Sequence, residues 1–415
     1  MKEEKMRRRL AALMVAVAAL SVLSPQVGAI ASLPDALVLD AGSATSVQVS
    51  LPLSAEVAAG GEGIASVTGD RGSRVSVTAG EESGTAQVIF RLLGLVPVKT
   101  MTVTVEQPRV LVPGGRTLGV ALKTEGVVVV GASDLGSKAS PARMAGVRAG
   151  DVIQSVDGVQ IGSASALSEC IQNGAAVTLG VLRDGEAMDI DVAPAEDPRD
   201  GAYRLGVWVR ESTAGVGTLT YYDPDSGEYG ALGHAITDVD TGVAFPVGEG
   251  AVFENAIVRI NRGAENAPGE LTGKFFETEI ELGGIERNTE FGVFGSADGE
   301  IADGSLYPEG LPVGWRDEIH TGAAQILSTI DAENVRAYDC EIEKLYSQSE
   351  PEARSMVVHI TDPELLARTG GIVQGMSGSP IIQDGKLVGA VTHVFISDPT
   401  RGYGVYLEWM LDAAG

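Results

Sequence analysis

The chain has 415 residues, 54 of them glycine and 18 proline, with 56 acidic against 30 basic side chains for a formal charge of −26. So long a chain exceeds one ordinary core and calls for about two to four domains, and an acidic composition with no basic stripe excludes nucleic acid as a partner. Cys170 and Cys340, the only two cysteines, lie far apart with no Cys/His spacing that suits a metal. They are either two free thiols or one interdomain disulfide, and no cofactor is expected.

Residues 1–31 carry Lys5, Arg7, Arg8 and Arg9, then an apolar run from Leu10 to Leu23 and small residues at Ala29 and Ala31. A basic start before an apolar stretch of this length reads as a signal peptide, or as a membrane anchor if it is retained. Either places the rest of the chain across the cytoplasmic membrane. Residues 32–109 alternate Val and Leu with Ser and Thr, as in Thr45-Ser46-Val47-Gln48-Val49 and Thr100-Met101-Thr102-Val103-Thr104-Val105. That period of two predicts half-buried strands in a small β domain with no chemistry of its own.

Residues 110–197 read as short strands, one helix and turns. Arg116-Thr117-Leu118-Gly119-Val120 resembles the carboxylate-binding loop and second strand of a PDZ domain, and Ser140-Pro141-Ala142-Arg143-Met144-Ala145-Gly146-Val147 resembles a later signature of that fold. Such a domain adds an extended peptide to a sheet edge and captures its terminal carboxylate on loop amides. On this reading Arg116, Thr117, Leu118, Gly119 and Val120 bind the peptide, and a helix from about Ala164 to Gln172 forms the other wall. The alternative is a domain that only braces its neighbour. Acidic Ala195-Glu196-Asp197-Pro198-Arg199-Asp200 reads as a linker into a final domain, 198–415, beginning around Tyr203-Arg204-Leu205-Gly206-Val207-Trp208-Val209.

Near the end of that domain, Gly375-Met376-Ser377-Gly378-Ser379-Pro380 leads into an apolar strand and a Gly-containing turn. Small residues on both sides of Ser377 let the chain turn tightly, expose the hydroxyl and aim the amides of Gly375 and Ser377 at one point, where an oxyanion can form. The competing reading is a plain Gly/Ser turn. A serine hydroxyl needs a neighbouring base, and the chain offers four histidines. His234, in Gly230-Ala231-Leu232-Gly233-His234-Ala235-Ile236-Thr237-Asp238, sits in a small-residue turn able to face a cleft. His359 and His393 lie in strand-like runs, and His320 in a loop or at a helix edge. For the carboxylate that orients the imidazole, Asp362 is chosen. Asp238 and Asp240 compete with it, and Asp362 before Pro363 also reads as a helix N-cap.

Gly230 to Asp238, Thr361-Asp362-Pro363-Glu364-Leu365-Leu366, and Gly370 through Pro380 on to Trp409-Met410-Leu411 together resemble the stage IV B sporulation serine peptidases. The resemblance implies a mainly β, multidomain fold: a small β domain, a PDZ domain and a chymotrypsin-like double β-barrel serine peptidase domain. It implies His234 as general base, Asp362 as orienting acid and Ser377 as nucleophile. Met376 stands where many chymotrypsin-like enzymes carry an aspartate that pairs with a newly cut N-terminus, so activation by that ion pair is not expected. The resemblance further implies export into the intermembrane space of the forespore, self-cleavage, and cutting of a membrane-anchored regulatory protein to trigger sigma-factor activation. The PDZ domain would recognise that protein or the enzyme's own N-terminal segment. Two rivals are a catalytically inactive PDZ adaptor and a general quality-control protease of the envelope.

Overall fold

The computed structural model describes residues 30, 33–49, 53–70, 74–274, 280–331, 334–348 and 350–415. Except for Ile30, the 1–31 segment read as a signal or anchor lies outside the described residues. Strand accounts for 53% and helix for 9%, so the mainly β expectation holds. Among the described residues no helix is long and apolar enough to cross a membrane.

The chain forms two compact units, 1–109 with 315–318, and 110–314 with 319–415. In the first, β1 (Ala36–Asp40), β3 (Leu53–Val57), β6 (Gly84–Leu92) and β7 (Val96–Glu106) form one sheet in the order β1-β7-β6-β3. A second sheet holds β2 (Ala44–Gln48), β5 (Arg74–Ala79) and β4 (Ala65–Asp70). The alternation seen in the sequence is the cause. Along β7, Met101, Val103 and Val105 are buried while Thr102 and Thr104 are only partly so, and Val47, Val77, Val88 and Phe90 join them in one core. Each such side chain, fully buried, contributes about 1.5–3 kcal/mol.

In the second unit two strands of 16 residues organise everything: β9 (Thr117–Ala132) and, after the PDZ elements, β13 (Val207–Tyr222). They pair antiparallel along nearly their whole length. The far half of β9 and the first residues of β13 enclose α1 (Pro141–Ala145), β10 (Val152–Val156), α2 (Ala164–Cys170), β11 (Val177–Arg183) and β12 (Glu186–Val192). The near half of β9 instead pairs on its other side with β15 (Glu249–Glu254), which follows β14 (Glu228–Ala231) in sequence. At the crossover Gly126 has φ +100, and a Cβ there would lie 2.5 Å from the Ile153 carbonyl oxygen. The sheet continues from β13 through β14 to β17 (Gly292–Ser296) and β16 (Arg287–Thr289), while β8 (Val110–Pro113) pairs with the end of β13. The remaining strands close a six-stranded barrel: β18 (Gly322–Ser328), β19 (Arg336–Leu345), β20 (Met356–Ile360), β23 (Asp398–Tyr406), β22 (Lys386–Phe395) and β21 (Pro380–Gln383), in that order. Helices α3 (Pro363–Thr369) and α4 (Leu407–Ala414) accompany it. One barrel is therefore closed, and the other sheet runs on into the PDZ elements.

This layout corrects two expectations. The PDZ domain is an insertion between two strands of the peptidase body, so β8 and the near half of β9 belong to that body rather than opening the PDZ domain at residue 110. Arg116, Thr117, Leu118, Gly119 and Val120 then lie away from any PDZ groove. Leu118 pairs with Gly217 and Glu254, Val120 with Gly215 and Val252, and Arg116 makes an ion pair with Glu254 at 2.5 Å. The groove between sheet edge and helix is built by the second Leu-Gly-Val. Leu205, Gly206, Val207, Trp208 and Val209 face Ala164, Leu167 and Ile171 across a cavity of about 320 Å³.

Candidate active site

Ser377 sits in a loop that is hydrogen-bonded on two sides. The Thr218 N–H donates to the Ser377 carbonyl (2.9 Å) and the Gly378 N–H to the Val391 carbonyl (2.8 Å). Thr218 and Thr220, two apart on β13 and so on one face, are fully buried. Their hydroxyls donate to the carbonyls of Gly375 and Gly378, each at 2.8 Å. Gly378 is obligatory: its φ is +95, and a Cβ would fall 2.1 Å from the Thr218 oxygen. Among the described residues neither the Gly375 nor the Ser377 amide has an acceptor. Two free amides two residues apart in a clamped loop are what an oxyanion hole requires.

His234 reaches the same place from β14. Leu232 and Gly233 both take left-handed conformations, φ 69 and 68, a strained turn for a leucine and one that costs about 1–3 kcal/mol. Asn288 holds the far side of the loop. It accepts from the Ile236 N–H (2.8 Å) and donates to the Ile236 and Phe245 carbonyls (both 2.9 Å). His234 and Ser377 converge on β22. The Ser377 hydroxyl donates to the Thr392 carbonyl at 2.7 Å, and the ring of the next residue, His393, lies 4.7 Å from that of His234, centroid to centroid.

The His234 Nδ1 is 2.8 Å from the Ala235 carbonyl. A carbonyl only accepts, so Nδ1 carries the proton and Nε2 is left as the basic nitrogen. Burial lowers the His234 pKa below the usual histidine value, with the Ala235 carbonyl partly opposing the fall, and the ring is neutral at pH 7. His393 keeps an exposed edge, yet the cleft strips enough water from it to lower its pKa to about 4, with His234, whenever it is protonated, and Arg354 adding to the fall. The cleft itself, about 480 Å³, runs along Thr213, Ala214, Gly215 and Val216 of β13 past His234 to Arg354 and His393.

The Asp362 carboxylate accepts from the Leu365 N–H (2.9 Å) as N-cap of α3, and among the described residues no hydrogen bond or ion pair joins it to His234. Asp238 and Asp240 are bound to Arg210, and Asp238 also accepts from Thr241, closing the loop after His234. His359 faces Glu343 and His320 faces Asp384. Sequence reasoning missed Thr218, Thr220 and Asn288 and gave His393 no role at the site. The available signal was the alternation of Thr218 and Thr220 with Leu219 and Tyr221, which sets two hydroxyls on the face of β13 opposite the apolar one.

Comparison with known proteins bears on both bodies. Residues 134–183 match the PDZ domain family, and residues 201–411, just over half of the chain, match the family described as SpoIVB peptidase S55. Two crystal structures of the Rv3671c protease are also similar. The active form, from M. tuberculosis, is 16% identical over 49% of this chain and 75% of that one, with a TM-score of 0.28. The inactive form is 15% identical over 48% and 82%, with a TM-score of 0.26. Likenesses so distant carry no weight for the fold. The family match does, and the chain belongs to the SpoIVB peptidase S55 family as a serine peptidase with a PDZ domain.

Proposed function

We propose that Ser377 is the nucleophile and His234 its general base, with the Gly375 and Ser377 amides stabilising the tetrahedral oxyanion. The observation that supports this reading is that the Ser377 hydroxyl contacts Thr392 and the His234 ring contacts the next residue, His393, beside two uncommitted amides. In the arrangement described, the hydroxyl is bonded to the Thr392 carbonyl. Catalysis begins when it turns about Cα–Cβ to His234 Nε2, which takes its proton as the oxygen attacks the substrate carbonyl. His234 then protonates the leaving amine, and water releases the acyl-enzyme by the same steps. The Ala235 carbonyl holds the imidazole tautomer, the task first expected of Asp362.

A peptidase carrying a PDZ domain acts on a peptide or protein. The finer reading is a signalling enzyme of sporulation: exported by the forespore with residues 1–31 as signal or anchor, it cuts its own N-terminal region and then a membrane-anchored regulator in the intermembrane space. The family match supports this reading. The test is mass spectrometry of new N-termini, wild type against Ser377→Ala. Discrete self-cleavage should vanish in a folded Ser377→Ala protein. Cuts that persist in that variant would reject the nucleophile, and an uncut wild-type chain that also ignores peptides would favour an inactive adaptor. Broad degradation of unfolded proteins would point to quality control.

A further inference from the structure

The β6–β7 hairpin of the N-terminal unit ends in Leu93-Gly94-Leu95, between paired Leu92 and Val96. Leu93 adopts φ 54, a region where turns ordinarily place Gly, Asn or Asp. Its side chain is 71% exposed, with Leu95 at 78% and Val96 at 57%. The core of this unit takes Val88, Phe90, Met101 and Val103 from the same two strands and leaves these three out. Elsewhere among the described residues the exposed large apolar side chains stand singly along the chain.

The topology gives the tip a direction. β1 runs parallel to β7, Ala36 opposite Thr102 and Asp40 opposite Glu106, so the chain enters β1 from the end of the sheet at which the tip lies. Val96 lies six residues before Thr102 along β7, which carries the tip about 20 Å past Ala36. Upstream, the apolar Leu10–Leu23 run ends thirteen residues before Ala36, a connection that reaches up to about 45 Å. The cations nearest the tip are already paired, Arg91 with Glu56 and Lys99 with Asp35, so burying the tip strands no lone charge.

We propose that this hairpin tip inserts into the interfacial layer of a lipid bilayer beside the entry point of the 10–23 segment, holding the N-terminal unit on the membrane at a second point. The inference rests on reading that segment as a retained anchor. Leu93, Leu95 and Val96 supply apolar area to the headgroup boundary as interfacial anchors do, and the strain at Leu93 serves to present them.

The test uses the full chain in phosphatidylcholine vesicles, with Leu95→Trp compared with wild type and with Val159→Trp, an exposed site on the PDZ domain (63%). Brominated phosphatidylcholine should quench the added tryptophan at 95 about twofold and blue-shift its emission, and leave the one at 159 unchanged. Flotation of the same samples reports the anchor separately. A chain that floats with tryptophan 95 unquenched and open to acrylamide overturns the hairpin proposal and keeps the anchor. A chain that does not float overturns both. Shielding from acrylamide without bromolipid quenching would place the tip against another protein and equally reject the bilayer.

Discussion

At Ser377 and His234 the decisive facts are protonation and hydrogen-bond direction. Burial lowers the His234 pKa, so the basic form survives below the usual histidine value near 6.5. The acid limb of kcat/KM should therefore have its midpoint below pH 6.5, read from initial rates on a peptide substrate; a midpoint above 7 would mean that a carboxylate stabilises the imidazolium. Stability follows the same sign. The unfolded chain takes up protons on His234 and His393 near pH 6.5 and the folded one only at lower pH, so their contribution is lost as pH falls from 6.5 towards about 4. Asp362 is a sharper question. Asparagine caps a helix as well as aspartate, whereas alanine costs about 1 kcal/mol. Asp362→Asn should keep both the wild-type unfolding midpoint and turnover, and Asp362→Ala should lose only stability. A folded Asp362→Asn protein slowed by about 10⁴ would put that carboxylate on the imidazole after all.

Among elements, β13 carries the most function. Its first residues edge the PDZ groove, its middle lines the cleft at His234, and Thr218 and Thr220 clamp the Ser377 loop. Trp208, 65% exposed on that groove, should matter for capture and not for chemistry. Trp208→Ala is expected to raise KM for a PDZ-docked protein substrate about tenfold, the loss of one aromatic anchor, with kcat on a short peptide unchanged. Arg116→Ala should leave capture as it was; a capture defect there would restore the original placement of the groove. The groove was misassigned for a physical reason: Leu118-Gly119-Val120 and Leu205-Gly206-Val207 share one local pattern at the start of two equally long strands. Only pairing partners far along the chain separate them. The turns at Ser377 and His234 were legible because glycine and other small residues crowd around both. Asn288 and the Ala235 carbonyl were not, since an asparagine that clasps a loop or a carbonyl that holds a tautomer leaves no mark in composition or spacing.

For the whole molecule, mainly β character and the presence of a PDZ domain could be read from alternation and local signatures; insertion could not, because sequence order is the same whether a domain precedes another or interrupts it. The interruption has a thermodynamic consequence. β9 and β13 run on between PDZ and peptidase bodies through an irregularity, where residues 124–127 of β9 stand against Glu211 alone between the Ser212–Lys123 and Arg210–Val128 pairs, and their side chains enter both cores: Val127 and Val129 one, Leu118 and Leu122 the other. Melting the PDZ end exposes half of two strands on which the peptidase sheet depends, so the two bodies should unfold together, while residues 33–109, with a core of their own, unfold separately. Calorimetry should show two transitions rather than three. Gly126 at the crossover provides the check. Gly126→Val places a side chain against the Ile153 carbonyl and forces an unfavourable φ, at a cost of several kcal/mol of the kind known for strained or overpacked sites. It should lower the larger transition as one unit and leave the smaller where it was. A third transition splitting off, with activity on short peptides intact above it, would show that the PDZ domain folds alone and that the long strands only join it mechanically.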